Sequence, residues 1–350
     1  MEPKNYRVVS FEGGDQVGKG DALNFFSEKL IEKEDIDIVI SSFPIYATPI
    51  GSTIRTLLKE GGEKFSLDHR EELEVKMALF ALNRLEFLDV FLEQDISEET
   101  LILFDRSAFS NALTIAYAMK EIPYLTPQDV KELVKTALSL DALLIDTLSL
   151  NKCVVQLVTD KDEWGNNRGG EVDLHESPDV QKYATFVYSI YEQIVEDGWK
   201  RVYTTENGQW RDRKEIYSDI LGFVIQRLGK IGKDDYKGQK IDIGIKEIIE
   251  NIYVGSRVDE SLLNEYINSI TNNDKDTMYQ TSSEVKNQIC SSFENVVFTN
   301  ESVREAFRAI LRQYSKIEEV LEYNLGKKFV NKLERAISDE QKRVGNEITT

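Results

Sequence analysis

The feature that most constrains this chain is a glycine-rich turn between a short apolar segment and an amphipathic one. The turn, Gly13–Lys19, has the pattern G-x-x-x-x-G-K. The β-branched segment Tyr6–Phe11 before it predicts a buried strand, and Ala22–Ile31 after it has the spacing of a helix. In such a unit the backbone N–H groups of the turn and the helix N-terminus form a cradle for an anion. The turn therefore predicts a phosphate site in an α/β fold.

The cradle contains one expected cation and one unexpected acid. The residues predicted to contact the phosphates of a nucleoside triphosphate are Gly13, Gly14, Asp15, Gln16, Val17, Gly18, Lys19, Gly20 and Asp21. Lys19 is expected to reach the β- and γ-phosphates. The hydroxyl that usually follows this lysine and touches Mg²⁺ is missing, because Gly20 and Asp21 come next. Asp21 either complements the helix dipole as a first-turn acid or contacts Mg²⁺ in place of the hydroxyl.

Strand patterns alternate with helical patterns along the next part of the chain. The further strand patterns are Ile36–Ser41, Leu101–Phe104, Cys153–Thr159 and Trp199–Thr204. Helical patterns cover Arg70–Leu92 and a segment that ends near Leu140, the second with Thr126 as its N-cap and Pro127 as its first residue. Alternating strands and helices predict βαβ units, and hence a parallel sheet with helices on its faces.

The composition of the chain changes near residue 229. All six prolines and all three tryptophans lie at or before Trp210. Gly229–Lys240 is polar and contains glycine, which predicts a linker, and the sequence after it has apolar stripes with helical spacing. We therefore predict an α/β domain over residues 1–228, a linker over 229–240 and a mainly α-helical extension over 241–350. The sequence of the extension carries no recognisable chemistry.

The bulk composition argues against several classes of protein. A net charge of −19 argues against a nucleic-acid partner, because binding nucleic-acid phosphates needs clustered Lys and Arg. No apolar run approaches the roughly 20 residues of a membrane span, and the first residues lack the features of a signal or transit peptide. Two cysteines and two histidines argue against a disulfide framework and a zinc cluster. These features predict a cytoplasmic protein without a membrane or nucleic-acid partner.

Four sequence blocks resemble the motifs of the thymidylate kinase family, in the order and spacing of that family. They are Phe11–Lys19, similar to F-E-G-x-D-x-x-G-K; Phe43–Gly51, similar to F-P-x-Y-x-T-P-x-G; Leu79–Glu86, similar to L-F-A-x-N-R-x-E; and Asp105–Ala112, similar to D-R-Y-x-x-S-N-A. The resemblance implies a P-loop NTPase-type parallel sheet flanked by helices. It also implies ATP- and Mg²⁺-dependent phosphorylation of dTMP to dTDP.

The resemblance assigns roles to individual residues. Asp105 ends a predicted strand, where a carboxylate is expected to face Mg²⁺. Lys19, Arg106 and Arg168 are expected to stabilise charge in the transition state, Arg168 being the only arginine of the lid segment Asp160–Pro178. The residues expected to bind dTMP are Asp15, Phe43, Pro44, Tyr46, Arg55, Phe80, Arg84, Arg106, Ser110 and Asn111. Tyr191 and the region of Trp199 are expected near the adenine.

Three of these residues suit the recognition of a pyrimidine base. Phe80 and Arg84 lie one helical turn apart, so a ring that stacks on the base and a guanidinium that donates to a base carbonyl point to one side. Asn111 offers both a donor and an acceptor, as the N3–O4 edge of the base requires.

Two departures from the family pattern leave alternatives open. Ser107 replaces the usual tyrosine, and Thr114 stands where an Ala-Tyr pair would help to exclude a 2′-hydroxyl, so the preference for deoxyribose is undecided. The alternatives are a kinase of another pyrimidine monophosphate, such as dUMP, and a non-catalytic nucleotide-binding regulatory protein. Gly20-Asp21 and the helical extension motivate the second alternative. We also expect a homodimer, formed through either the kinase domain or the extension.

Overall fold

The computed structural model describes most of the first 229 residues and parts of the rest. The described residues are 5–14, 17–33, 36–46, 48–159, 178–229, 238–241, 243, 261, 262, 265, 268, 277, 298, 300–314, 316–317 and 319–321. The strands are β1 (Arg7–Glu12), β2 (Ile38–Ser42), β3 (Leu101–Asp105), β4 (Val154–Val158), β5 (Trp199–Tyr203), β6 (Thr205–Glu206), β7 (Gln209–Trp210) and β8 (Lys240–Ile241).

Helices surround these strands. They are α1 (Lys19–Lys33), α2 (Pro49–Glu60), α3 (His69–Glu93), α4 (Asn111–Glu121), α5 (Pro127–Leu140), α6 (Ala142–Leu148), α7 (Pro178–Val195), α8 (Arg213–Leu228) and α9 (Glu301–Gln313). Short 3₁₀ turns occupy Gly62–Phe65, Ala108–Ser110, Leu150–Lys152 and Glu196–Gly198. Among the described residues, every helix is too short or too polar to cross a membrane.

Six strands form one parallel sheet in the order β5-β4-β1-β3-β2-β8, and β6 and β7 form a separate hairpin. In β1, Val8 joins the larger hydrophobic cluster and Val9 the smaller one on the opposite face, as the alternation of strand side chains requires. Because β1 lies in the middle of the sheet, the loops at its carboxyl end and at that of β3 border a crevice of the kind in which open α/β sheets bind ligands. The predicted parallel sheet flanked by helices is confirmed.

The described residues beyond 229 pack against this sheet and its helices. Ile38 of β2 lies opposite Lys240 of β8, which makes β8 an edge strand of the sheet. Phe298 and Phe307, the second on α9, belong to the same apolar cluster as α3. Helix α9 confirms helix in the predicted extension, most of which lies outside the described residues. The domain boundaries at residues 228 and 240 stay predictions, and the sequence patterns gave no sign of these contacts.

Candidate functional site

The phosphate loop requires glycine at its two ends. Gly13 has a φ of +134°, and an ideal Cβ there would lie 2.4 Å from the carbonyl oxygen of Leu157 on β4. Gly18 has a φ of +81°, in the left-handed region that favours glycine. Helix α1 begins at the next residue, Lys19. The loop therefore presents its lysine at a helix N-terminus, where partial positive charge favours a phosphate.

Residues at the ends of β1 and β3 meet beside this loop. Lys19 Nζ donates to Asp105 Oδ1, and Asp105 is the last residue of β3. Arg106 Nη1 donates to the carbonyl oxygen of Gly13 at 3.3 Å. Arg106 also has a φ of +70°, a conformation that costs a non-glycine residue roughly 1–3 kcal/mol. Such strain at the end of a central strand is typical of a functional position.

A buried carboxylate, Glu12, holds the loop that follows β3. Its Oε1 accepts hydrogen bonds from the backbone N–H of Ser107 at 2.8 Å and from the Ser107 hydroxyl at 2.7 Å. The Ser110 hydroxyl donates to Oε2 at 2.5 Å. Burial raises the pKa of Glu12, and the hydrogen bonds from Ser110 and Ser107 oppose that shift. Ser107 is fully buried, so its side chain serves this network and does not line the acceptor cavity described next.

An acceptor cavity of about 320 Å³ lies beside Asp105 and Arg106. Eight residues predicted to bind dTMP line it: Phe43, Pro44, Tyr46, Phe80, Arg84, Arg106, Ser110 and Asn111. Ser42, Leu58, Asp105, Leu113 and Thr114 complete the lining. The structure therefore brings these predicted residues together at a cavity of the size of small-ligand sites, and their individual roles stay predictions.

Two of the residues that raised doubt in the sequence take different positions. Thr114 lines the acceptor cavity, whereas Ser107 does not. Arg55, which was expected to bind dTMP, is exposed and does not line the cavity. Its guanidinium lies 6.0 Å from the centre of the Tyr46 ring, so it borders the cavity only through that ring.

Two lining residues of the acceptor cavity, Arg84 and Asn111, are bound to a residue that sequence reasoning missed, Asp141. Arg84 Nε and Nη2 donate to the two carboxylate oxygens of Asp141, each at 2.6 Å. Asn111 Nδ2 donates to Asp141 Oδ2 at 3.3 Å. Burial raises the pKa of Asp141, and the Arg84 guanidinium opposes the shift. The only sign of Asp141 in the sequence is that it is an acid within the apolar run around residues 140–145.

A second cavity, of about 310 Å³, lies on the α8 side of the phosphate loop. Its lining residues are Gly18, Asp21, Ala22, Phe25, Thr204, Trp210, Arg211, Arg213, Ile216 and Tyr217. The Trp210 ring lies 3.1 Å from the position of an ideal Cβ on Gly18. This α8-side cavity therefore combines aromatic rings and arginines next to the loop. The β6–β7 hairpin that carries Trp210 has no signature in the sequence patterns.

Tyr191 and Trp199, expected near the adenine, do not line the α8-side cavity. Both side chains are buried, and the Trp199 indole N–H donates to Gln156 Oε1 at 3.0 Å. Each ring also packs edge-on against Phe109. The two residues belong to the core.

The part of the chain that forms the acceptor cavity matches one family of known proteins. The family model described as thymidylate kinase matches residues 11–130, a segment that contains all four motifs and every lining residue of the acceptor cavity. Over this segment the chain is similar to the thymidylate kinase family. This similarity supports a nucleoside-monophosphate kinase, a transferase of the P-loop type.

Two further comparisons complete this result. Comparison with curated proteins finds no match. Among solved structures, the chain is similar to the thymidylate kinase from Candida albicans, with 18% sequence identity and a TM-score of 0.42. That alignment covers 66% of this chain and 96% of the Candida albicans chain.

Several residues of the thymidylate kinase motifs join the second motif block to the third. Asn83 Oδ1 accepts from the backbone N–H of Ile45 at 2.7 Å, and Asn83 Nδ2 donates to Thr48 Oγ1 at 2.9 Å. The Thr48 hydroxyl donates to Glu86 Oε2 at 2.6 Å. All four residues are buried. These motif residues therefore hold α2 and α3 together and position the cavity wall without lining it.

The carboxylates predicted to hold Mg²⁺ lie apart. Within the described ranges, no group of three or more His, Cys, Asp or Glu side chains is arranged to hold a metal ion. Asp105 lines the acceptor cavity next to Lys19, whereas Asp21 lines the α8-side cavity and lies 2.8 Å from Arg213. Mg²⁺ usually binds one or two carboxylates together with substrate phosphates. A single carboxylate, that of Asp105, therefore matches the usual number of protein ligands of Mg²⁺ at such a site.

Three predicted site residues lie outside the described residues. They are Asp15 and Gln16 of the phosphate loop and Arg168 of the lid segment. Asp15 and Gln16 stay predicted contacts of the ATP phosphates, Asp15 also stays a predicted contact of dTMP, and Arg168 stays predicted to stabilise the transition state.

Proposed function

We propose that this chain transfers the γ-phosphoryl group of ATP to dTMP and releases dTDP and ADP. The observation that supports the proposal is the acceptor cavity, whose lining combines a ring, Phe80, two polar residues, Arg84 and Asn111, and the cation Arg106. A base would stack on Phe80, and the monophosphate would lie toward Arg106. That direction brings the acceptor phosphate to the end of the loop where Lys19 lies.

The residues present suit a reaction that needs positioning and charge stabilisation more than proton transfer. The acceptor atom is an oxygen of an ionised phosphate, so no general base is required. Lys19 and Arg106 are placed to stabilise the charge that spreads over the transferred group. Mg²⁺ held at Asp105 would supply further neutralisation of the phosphate oxygens. Arg168 is proposed as a third cation, brought in by the lid.

A coupled assay of ADP release over a panel of monophosphates tests this proposal. The panel contains dTMP, dUMP, dCMP, dAMP and the ribonucleotides UMP and CMP. We expect dTMP to give the highest kcat/KM. A higher kcat/KM for dUMP would mean that dUMP, and not dTMP, is the preferred acceptor of the same phosphoryl transfer. Binding of both ATP and dTMP without ADP release would instead support the non-catalytic regulatory alternative.

The α8-side cavity is proposed to hold the adenine of ATP, with Trp210 as its main aromatic wall. We predict that Trp210→Ala raises KM for ATP about tenfold, because a stacked ring contributes on the order of 1 kcal/mol beyond its buried area. KM for dTMP should change by less than about twofold, because Trp210 does not line the acceptor cavity. Initial rates at varied ATP and dTMP measure both constants.

The matched control for this variant is Tyr124→Ala. Tyr124 is an aromatic residue that is 80% exposed and lines neither cavity. Both KM values should stay at the wild-type level in that variant. A rise in KM for dTMP equal to the rise for ATP in Trp210→Ala would contradict the assignment of the adenine to this cavity.

The ion pair with Arg213 suggests that Asp21 is not the ligand that replaces the missing hydroxyl. We predict that Asp21→Thr changes the half-saturating Mg²⁺ concentration by less than about twofold, since an exposed pair contributes on the order of 0.2–1 kcal/mol. Asp105→Asn should raise that concentration at least about tenfold. A Mg²⁺ titration of the kinase rate measures both. A large shift in Asp21→Thr would restore Asp21 as the metal ligand.

The homodimer, the cytoplasmic location and the absence of a nucleic-acid partner stay predictions. Light scattering on the full chain gives the oligomeric state directly.

A further inference from the structure

Two polar residues that line the acceptor cavity, Arg84 and Asn111, are held by one buried acid. Asp141 lies 57 residues from Arg84 in the sequence and outside the segment matched by the family model. Its side chain is 1% exposed, and it accepts hydrogen bonds from both Arg84 and Asn111. Asp141 itself does not line the cavity. It therefore stands behind the two polar residues that do.

An ionised carboxylate only accepts hydrogen bonds, and this decides which way the Asn111 amide points. The amide must turn its NH₂ group to Asp141, as the 3.3 Å contact records. Asn111 Oδ1 is then left buried, and among the described residues it has no hydrogen-bond partner. A buried acceptor without a partner costs roughly 1–3 kcal/mol, so its position in a cavity wall points to a ligand that donates to it.

The same carboxylate also orients Arg84. Two of the three guanidinium nitrogens, Nε and Nη2, are bound to Asp141. The third, Nη1, makes a long contact of 3.4 Å with the Ser107 carbonyl oxygen. Arg84 and Asn111 both line the cavity, so the groups that remain for a ligand there are a guanidinium N–H of Arg84 and Oδ1 of Asn111.

We propose that Asp141 sets the polarity with which the cavity reads a pyrimidine, so that thymine and uracil are accepted and cytosine is rejected. This inference rests on the proposed function. Thymine and uracil carry the O4 acceptor next to the N3–H donor, which complements the Arg84 donor and the Asn111 acceptor. Cytosine carries the N4 amino donor next to the N3 acceptor, the opposite order. In cytosine each contact would place donor against donor or acceptor against acceptor, and buried groups would lose their partners.

Asp141→Asn tests this role because it keeps the shape of the side chain but replaces a carboxylate, which only accepts hydrogen bonds, by an amide. An amide at position 141 can either donate or accept, so Asn111 is released to turn its NH₂ group into the cavity and donate to cytosine N3. We expect the wild-type chain to favour dTMP over dCMP by at least on the order of 10²-fold in kcat/KM. In Asp141→Asn that ratio should fall at least about tenfold. The matched control is Asp146→Asn, the same change at an exposed acid of α6, where the ratio should stay constant.

The ratio separates a positioning role from a merely structural one. Loss of structure would lower the values for dTMP and dCMP in parallel and leave their ratio unchanged, and that outcome would overturn the proposal. Asn111→Leu provides a second variant that leaves the Arg84–Asp141 pair intact. This variant should lower kcat/KM for dTMP and leave kcat/KM for dCMP unchanged or higher. An equal fall in both values would also contradict the proposal.

Dissociation constants from isothermal titration calorimetry distinguish failure of this inference from failure of the proposed function. Calorimetry with dTMP and dCMP needs no turnover, so the ratio of the two constants tests Asp141 even in a chain that releases no ADP. Absence of ADP release together with a dTMP preference that Asp141→Asn reduces would reject the kinase reaction and retain the role of Asp141. If the chain turns over dTMP and Asp141→Asn leaves the ratio of the two dissociation constants unchanged, the kinase reaction would be retained and the role of Asp141 rejected.

Discussion

Replacement of Lys19 by methionine is expected to lower kcat/KM for dTMP by on the order of 10³-fold while the chain stays folded. Lys19 ends the phosphate loop and begins α1, and its ammonium lies against the carboxylate of Asp105, which lines the acceptor cavity. Methionine keeps the length of the side chain and removes the charge. The coupled ADP assay measures the rate, and circular dichroism with thermal melting checks the fold.

Lys29→Met is the matched control for this variant. Lys29 also belongs to α1, but it pairs with Glu32 outside both cavities. Its replacement should leave kcat/KM within about twofold of the wild-type value, because surface ion pairs of this kind contribute little. A Lys19→Met chain with a near wild-type rate would show that the G-x-x-x-x-G-K turn does not perform phosphoryl transfer.

Replacement of Arg84 by methionine is expected to cause a large loss of stability, lowering the free energy of unfolding by about 3–5 kcal/mol. The reason is that Arg84 and Asp141 are 2% and 1% exposed, so the variant leaves a buried carboxylate without its counter-charge. Urea denaturation at neutral pH, followed by circular dichroism, measures the change.

Arg70→Met on the same helix separates this effect from the general cost of losing an arginine. Arg70 is 59% exposed and lies 2.9 Å from Glu74 one turn away, an arrangement that contributes roughly 0.2–0.5 kcal/mol. The double variant Arg84→Met/Asp141→Leu should recover part of the loss, because it removes both buried charges. Equal losses in Arg84→Met and Arg70→Met would mean that the Arg84–Asp141 pair is not desolvated as the structure describes it.

A threonine followed by proline is a local signal for the start of a helix, and it was used at one of the two places where it occurs. Thr126 and Pro127 predicted the start of α5, and the structure shows Thr126 as N-cap and Pro127 as first residue. Thr48 and Pro49 carry the same signal and begin α2 in the same way, yet that helix was not predicted. Both starts depend on one hydroxyl that accepts a nearby backbone N–H, so the information is within three residues of the cap.

The residues of the candidate site that lie in local motifs were predicted, and those that depend on distant contacts were not. Most of the acceptor cavity was predicted, because its residues lie in three short blocks whose order and spacing resemble those of one family. Asp141 and Trp210 were not predicted, because neither lies in such a block and each acts through a contact with a distant segment. Ser107 was noted in the sequence as a replacement for the usual tyrosine, and its bond to Glu12, 95 residues away, shows that it belongs to the protein interior.

The sequence by itself determined the phosphate loop and the parallel α/β sheet, because each depends on local backbone preference or on hydrophobic periodicity within one element. It also carried the motif blocks that resemble one family. Tertiary structure decided what surrounds them: the pair of Arg84 with Asp141, the exposed pair of Asp21 with Arg213, and the packing of Lys240–Ile241 beside β2. These contacts join residues 57 to more than 200 positions apart in the chain. No local pattern records such a contact, because its free energy exists only when both segments are folded against each other.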